Sequence, residues 1–182
     1  MKELLEVIEG RRSVLRFKPD PIPNADLEKI LEAGRWAPSY ANSQPWKFIV
    51  VRDPERRRAL GALVERILVF RPGRVALSSP GVGEAPVVIA VVVDPARSPL
   101  HHLEAGAAAA QNMALMAHVL GYGSFWAGVA GRGEVEREIK RILRVPRGMR
   151  VVALLPLGKP AYEPEPGQRF PLAEIVVQEQ MG

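Results

Sequence analysis

Hydrophobic spacing divides the chain into alternating helical and extended stretches. Residues 2–10 put Leu4, Leu5, Val7 and Ile8 on one broad face and close on Gly10, the pattern of a short amphipathic helix. "RRSVLRF" then runs extended to Pro19. After a turn, Asn24 reads as an N-cap, with Asp26 and Glu28 following where a helix dipole favours acids. That helix runs to Trp36 and stops before Pro38. "KFIVVR" (47–52) reads as a strand, and Pro54 opens a helix that continues into the 60s. The stretch 71–86 is punctuated by Gly and Pro and reads as a loop. "VVIAVVVD" (87–94) is apolar on both faces, so a central strand is expected.

From 100 to 120 the pattern is helical and closes on Gly121. Small apolar residues surround it on nearly all sides, so burial is expected. "SFWAGV" (124–129) reads as a short strand or turn, 133–144 as an amphipathic helix, and "MRVVALLPLG" (149–158) as another buried strand. The tail from Lys159 is Pro-rich and ends in a β-like "EIVV" (174–177). It is too poor in core residues to fold on itself, and a partner subunit is the natural surface for it to cross.

Composition narrows the classes. The 182 residues are 47% hydrophobic and contain no cysteine, which fits one folded domain and excludes disulfides and thiolate chemistry. No apolar run is long enough to span a membrane, and the start lacks a signal-peptide pattern, so a cytoplasmic protein is expected. The net charge of +5 permits a nucleic acid or a small phosphorylated ligand as partner. On composition alone a merely basic, solubilising surface is the favoured reading over nucleic acid.

Four stretches carry candidate chemistry. In "RRSVLRF", Arg11, Ser13 and Leu15 share one face of an extended segment, and Arg12, Val14 and Arg16 share the other. Guanidinium forks and a hydroxyl suit phosphate, although taken alone the stretch reads better as a solvated basic edge strand. "RWAPSYANSQPWKF" mixes flat apolar surface (Pro38, Tyr40, Trp46) with amide and hydroxyl groups (Ser39, Asn42, Gln44), as a preformed pocket requires; a loop capping the core is the competing reading. "GAAAAQNMALMAHVLGYGSFWAG" offers small residues for close approach. His101, His102 and His118 have no metal or acid partner at ligand spacing and read as structural. The glycines lie outside GxGxxG or Walker spacing. In the tail, Lys159 and Arg169 each stand ready to complete a phosphate site begun by Arg11.

In this order, "RRSVLRF", "APSYANSQPWKFIVV", "AAQNMALMAHVLGYGSFWAG" and "LLPLGKPAYEPEPGQRFPLAEIVV" resemble the nitroreductase family of flavoproteins over almost the whole chain. The resemblance implies an α+β fold, with a central mixed β-sheet flanked by helices. It implies one FMN-binding domain over 1–182, and an intertwined homodimer whose C-terminal tail wraps the partner and adds "EIVV" to the partner's sheet. It implies that Arg11, Arg12 and Ser13 meet the FMN phosphate and ribityl end, together with the basic tail position Arg169. Pro38, Ser39, Tyr40 and Asn42 would reach the flavin of the other subunit, and the backbone of Ala127 and Gly128 would face the ring. No catalytic side chain and no metal is implied, because the flavin carries the chemistry.

One position departs from the family. Leu15 stands where a basic residue commonly approaches the flavin's pyrimidine edge, and Arg74 is a candidate substitute. The implied activity is ping-pong electron transfer from NADH or NADPH through FMN to a small acceptor such as a nitroaromatic, quinone, enone or free flavin. Residues 65–86 and 95–103 would supply the pocket walls. Two other readings are a flavin carrier or sensor without reductase activity, and a nucleic-acid-binding domain. The latter lacks any recognised motif.

Overall fold

The structure, a computed structural model, describes residues 3–68 and 81–178. Helices α1 (Leu4–Gly10) and α2 (Asn24–Arg35) lead through a 3-10 turn (Tyr40–Asn42) into strand β1 (Trp46–Val51). Helix α3 (Pro54–Leu68) and the short α4 (Gly81–Glu84) precede β2 (Val87–Val93), which is followed by the long α5 (His102–Val119). Two short strands, β3 (Gly123–Ser124) and β4 (Ala127–Gly128), then α6 (Gly133–Leu143), β5 (Arg150–Gly158) and α7 (Leu172–Ile175) complete the order.

The sheet order is β1-β2-β5-β3, with β4 also on β5. Within the chain every pairing between these strands is antiparallel; the parallel pairing among the described residues is a single bridge, Ser13 to Ser124. Period-2 alternation divides β2 between two cores. Val87, Ile89, Val91 and Val93 pack under α2 and α5, with Ile30, Met113, Leu155 and Leu157. Val88, Ala90 and Val92 pack under α3, α4 and α6, with Leu60, Val64, Val82 and Ile139. A strand apolar at every position is thus the middle of three layers.

Helix α5 lies close on the sheet because its inner face is built from Ala105, Gly106, Ala109, Ala110 and Ala117. A Cβ at Gly106 would stand 2.6 Å from Val152 Cγ2 and 2.8 Å from Val93 Cγ1, so a larger residue would push the helix off. The expectation of burial on nearly all sides is corrected: Gln111 and Val119 are exposed, and Ala107, Ala108 and Leu115 are half-exposed.

Three further expectations change. Pro23, rather than Asn24, caps α2; the Asn24 side chain instead accepts a hydrogen bond from Arg52 Nη2 at 2.7 Å. Residues 81–84 of the expected loop 71–86 form a helical turn with Gly81 and Val82 buried, while 71–80 lie outside the described residues. Within the single chain "EIVV" pairs with no strand; Glu174 and Ile175 are helical and Val176 is extended. Residues 172–175 make a helical turn behind Pro171, closing backbone bonds from Glu174 N to Pro171 O (3.0 Å) and Val176 N to Leu172 O (2.9 Å). A turn satisfies those groups locally, whereas a strand needs a neighbouring edge.

Candidate functional site

The chain leaves α1 at Gly10, where a Cβ would lie 2.7 Å from His118 Nε2. It then runs extended beside β3. Val14 N donates to Ser124 O at 2.9 Å, and Val14 is buried. Gly123 opposite is required for this approach, since its Cβ would fall 2.6 Å from Val14 Cγ2. Beyond β5 the tail folds back along the same segment: Lys18 N donates to Lys159 O (2.8 Å), Ala161 N to Arg16 O (3.1 Å), and Phe17 bridges Pro160. This pairing carries residues 162–169 to Arg11–Ser13, about 150 positions away in sequence.

The result is a cleft of about 420 Å³ lined by Arg11, Arg12, Ser13, Tyr162, Pro164, Glu165, Gly167 and Arg169. Of the residues expected at phosphate, four are here: Arg11, Arg12, Ser13 and Arg169. Lys159 is exposed and does not line the cleft, so of the two tail cations Arg169 is the one brought to it. Gly167 lies beside the Arg12 and Arg169 guanidiniums. A Cβ there would meet Arg169 Nη1 at 2.9 Å and Arg12 Nε at 3.6 Å.

Three guanidiniums against one carboxylate leave the lining with a surplus of two positive charges. None of the ion pairs among the described residues involves Arg11, Arg12, Arg169 or Glu165. Burial, then the like charges of Arg169 and Arg12, hold the Arg11 pKa below the usual guanidinium range. Arg12 Nη1 donates to the carbonyls of Glu9 and Arg11, and Arg169 Nη1 to that of Gln168. A cleft that gathers three guanidiniums around one carboxylate, none of them ion-paired among the described residues, fits a multiply charged anion.

Leu15 is half-buried and stays outside the cleft lining. Its N–H donates to Tyr162 Oη at 3.2 Å, and its carbonyl lies 2.7 Å from where a Gly81 Cβ would be. Arg74, the expected substitute cation, lies outside the described residues. Ala127 and Gly128 form β4 against Leu154 and Ala153 of β5. Ala127 is buried and Gly128 exposed, so the chain presents bare backbone there. The gap between β3 and β4 falls opposite Leu155 and Pro156, and a proline has no N–H to give a neighbouring strand.

Pro38, Ser39, Tyr40 and Asn42 do not line the arginine cleft. Their loop is held in an unusual shape. Ala41 (φ 47°), Asn42 (φ 54°) and Gln44 (φ 43°) are all left-handed non-glycines, and Ser39 Oγ accepts from Gln44 N at 3.0 Å. Backbone strain of this kind concentrates at functional sites. Tyr40 is 67% exposed, with its ring centroid 5.1 Å from that of His101 at the start of α5. The two tryptophans part company. Trp46 is a core residue, correcting its place in a ligand pocket; Trp36 is exposed and donates Nε1–H to Glu32 at 2.7 Å.

Sequence reasoning missed Tyr162, Glu165 and Gly167. The visible signal was the ten-residue interval between Lys159 and Arg169, which must carry the chain from one cation to the other. Among the described residues no cluster of His, Cys, Asp or Glu could hold a metal, and no helix is long and apolar enough to cross a membrane.

Known proteins resemble this chain in sequence and fold. Residues 8–159 match the Nitroreductase family. A protein of Archaeoglobus fulgidus, provisionally named NADH dehydrogenase/NAD(P)H nitroreductase, is 34% identical over 166 residues, covering 90% of this chain and 88% of that one. The NADH dehydrogenase of Thermus thermophilus is 32% identical over 92% of this chain and 91% of its own. An FMN-dependent nitroreductase from Clostridium difficile superimposes with a TM-score of 0.77 at 27% identity, over 91% of this chain and 92% of that one. On sequence and fold together, the chain belongs to the nitroreductase family.

Proposed function

We propose that this protein is an FMN-dependent oxidoreductase that draws electrons from NADH or NADPH and passes them to a small organic acceptor such as a nitroaromatic, quinone or enone. The observation that carries the reading is the cleft where Arg11, Arg12, Arg169 and Ser13 converge without an ion-pair partner among the described residues. That donor set suits the phosphate of FMN, and relatives named for NAD(P)H and FMN chemistry support it. Held there, FMN would supply hydride chemistry between a nicotinamide and the acceptor, and both substrates would use one pocket in turn. The three arginines and Ser13 would hold the phosphate. Ala127 and Gly128 would offer backbone to the ring.

The chain acts as a single FMN-binding domain over 1–182, in a cytoplasmic homodimer. Leu4, Leu5, Phe170, Leu172 and Ile175 are each more than 60% exposed, an apolar surface that a second copy would cover. The strained Ser39–Asn42 loop, absent from its own chain's cleft lining, would then serve the partner's flavin. Purified protein is expected to be yellow, to have the mass of two chains in solution, and to lose its oxidised flavin absorbance on anaerobic titration with NADH or NADPH. Protein that stays colourless after incubation with FMN overturns the assignment. Bound flavin that neither nicotinamide reduces favours a carrier or sensor instead.

Leu15→Arg is expected to raise the two-electron midpoint potential. A cation near the pyrimidine edge stabilises the anionic reduced flavin more than the neutral oxidised one, with an upper bound of about 4 kcal/mol for a charge in contact at an effective dielectric of about 20. A potential that does not move places residue 15 away from the flavin.

A further inference from the structure

Tyr162 is a tail residue that the family resemblance did not single out, and its position is unusual. Its hydroxyl accepts the Leu15 N–H at 3.2 Å, across 147 positions of sequence. The ring is 42% exposed and lines the cleft with Arg11, Arg12, Ser13 and Arg169. A phenol both accepts and donates. Its lone pair is engaged by Leu15, but its proton has no acceptor among the described residues. The cleft itself is rich in donors and holds one carboxylate, Glu165, to which Tyr162 makes no hydrogen bond.

We propose that Tyr162 is a further ligand-binding residue, whose hydroxyl donates to the phosphate held by Arg11, Arg12 and Arg169. The inference rests on the phosphate reading given above. Accepting from Leu15 N–H polarises the phenol and strengthens its own donation, the cooperative behaviour of a hydrogen-bond chain. The same bond orients the ring, so the donor is placed before the ligand arrives. It also ties the tail to the Arg11–Leu15 segment seven residues ahead of Arg169.

The test compares FMN with riboflavin, which has the same ring and ribityl chain but no phosphate. Dissociation constants for both are measured by flavin fluorescence quenching on apoprotein, for wild type, Tyr162→Phe and Arg169→Ala. Tyr162→Phe keeps the ring and removes only the hydroxyl. It is expected to weaken FMN about tenfold or more, as a hydrogen bond to a charged group would, and to leave riboflavin unchanged. Thermal melting of the apoprotein should stay close to wild type, since the Leu15 N–H at this exposed position can turn to water.

Equal weakening of FMN and riboflavin would make Tyr162 a scaffold residue and overturn the proposal. If Arg169→Ala lowers the preference for FMN over riboflavin but Tyr162→Phe does not, the proposal fails while the phosphate reading stands. If neither variant changes that preference, the phosphate reading falls and takes the proposal with it.

Discussion

Arg169→Ala is expected to weaken FMN binding roughly tenfold to a hundredfold, while Arg56→Ala leaves it unchanged. Both are exposed arginines on the same basic chain, so net charge alone would affect them alike. Arg169 lines the cleft with Arg11 and Arg12, and Gly167 lies beside its guanidinium. Arg56 sits in the first turn of α3 beside Asp53 and Glu55, on a face that the phosphate reading leaves to solvent. A hydrogen bond from a charged group contributes about 1.5–3 kcal/mol, and each 1.4 kcal/mol is about tenfold in affinity. Folding should be little affected, because the side-chain bond lost is one to the neighbouring Gln168 carbonyl. Dissociation constants from fluorescence titration check this. Salt should narrow the gap between the two variants, since the cleft opens to solvent. Equal constants for both variants would mean that the phosphate lies elsewhere.

Glu136→Gln is expected to cost about 1–3 kcal/mol of stability at neutral pH, far from the cleft. Glu136, on the buried face of α6, is 6% exposed and accepts from Arg150 Nε (2.8 Å) and Nη2 (3.0 Å), as well as from Val151 N–H (3.1 Å). Losing one partner of a fully buried pair costs about 3–5 kcal/mol, and the lower figure applies because the Arg150 side chain is 35% exposed and can be rehydrated. Burial alone would raise the Glu136 pKa. The bonds from Arg150 and Val151, and the Arg150 charge, outweigh it and hold the carboxyl below its usual range. The folded group therefore ionises at lower pH than the unfolded one. Its stabilisation is complete above the unfolded pKa of about 4 and fades as pH falls through the folded value. Urea midpoints of wild type and variant should lie far apart at pH 7 and converge below about pH 4. A gap as wide at pH 3 as at pH 7 would show that the lost interaction is not ionic.

The failures of sequence reading share a cause. Asn24 has the chemistry of an N-cap, but Arg52, 28 residues away, engages its side chain, and no local pattern records that. Trp46 and Trp36 look alike in a Pro-stiffened loop; one enters the core because β1 begins there and the other faces solvent. "EIVV" has β propensity, yet a strand requires a neighbouring edge, and within one chain Pro171 starts a helical turn instead. The sheet's antiparallel pairing was equally hidden, since β2 throughout and β5 after Arg150 read simply as apolar.

What the sequence alone determined was the order of the main elements, the two central strands, the alanine-faced helix and the guanidinium and hydroxyl groups that Arg11, Arg12, Ser13 and Arg169 offer. Each of these is written in local periodicity or in residue type, which survive without knowledge of the fold. Tertiary structure decided which cations share a space. Pairing of the tail with residues 16–18 brings Arg169 into the cleft lining and leaves Lys159 outside it, and it sets Tyr162 against Leu15. Those choices depend on backbone bonds between segments about 140 residues apart. They exist only once β5 has been laid into the sheet and the tail has turned back from its end.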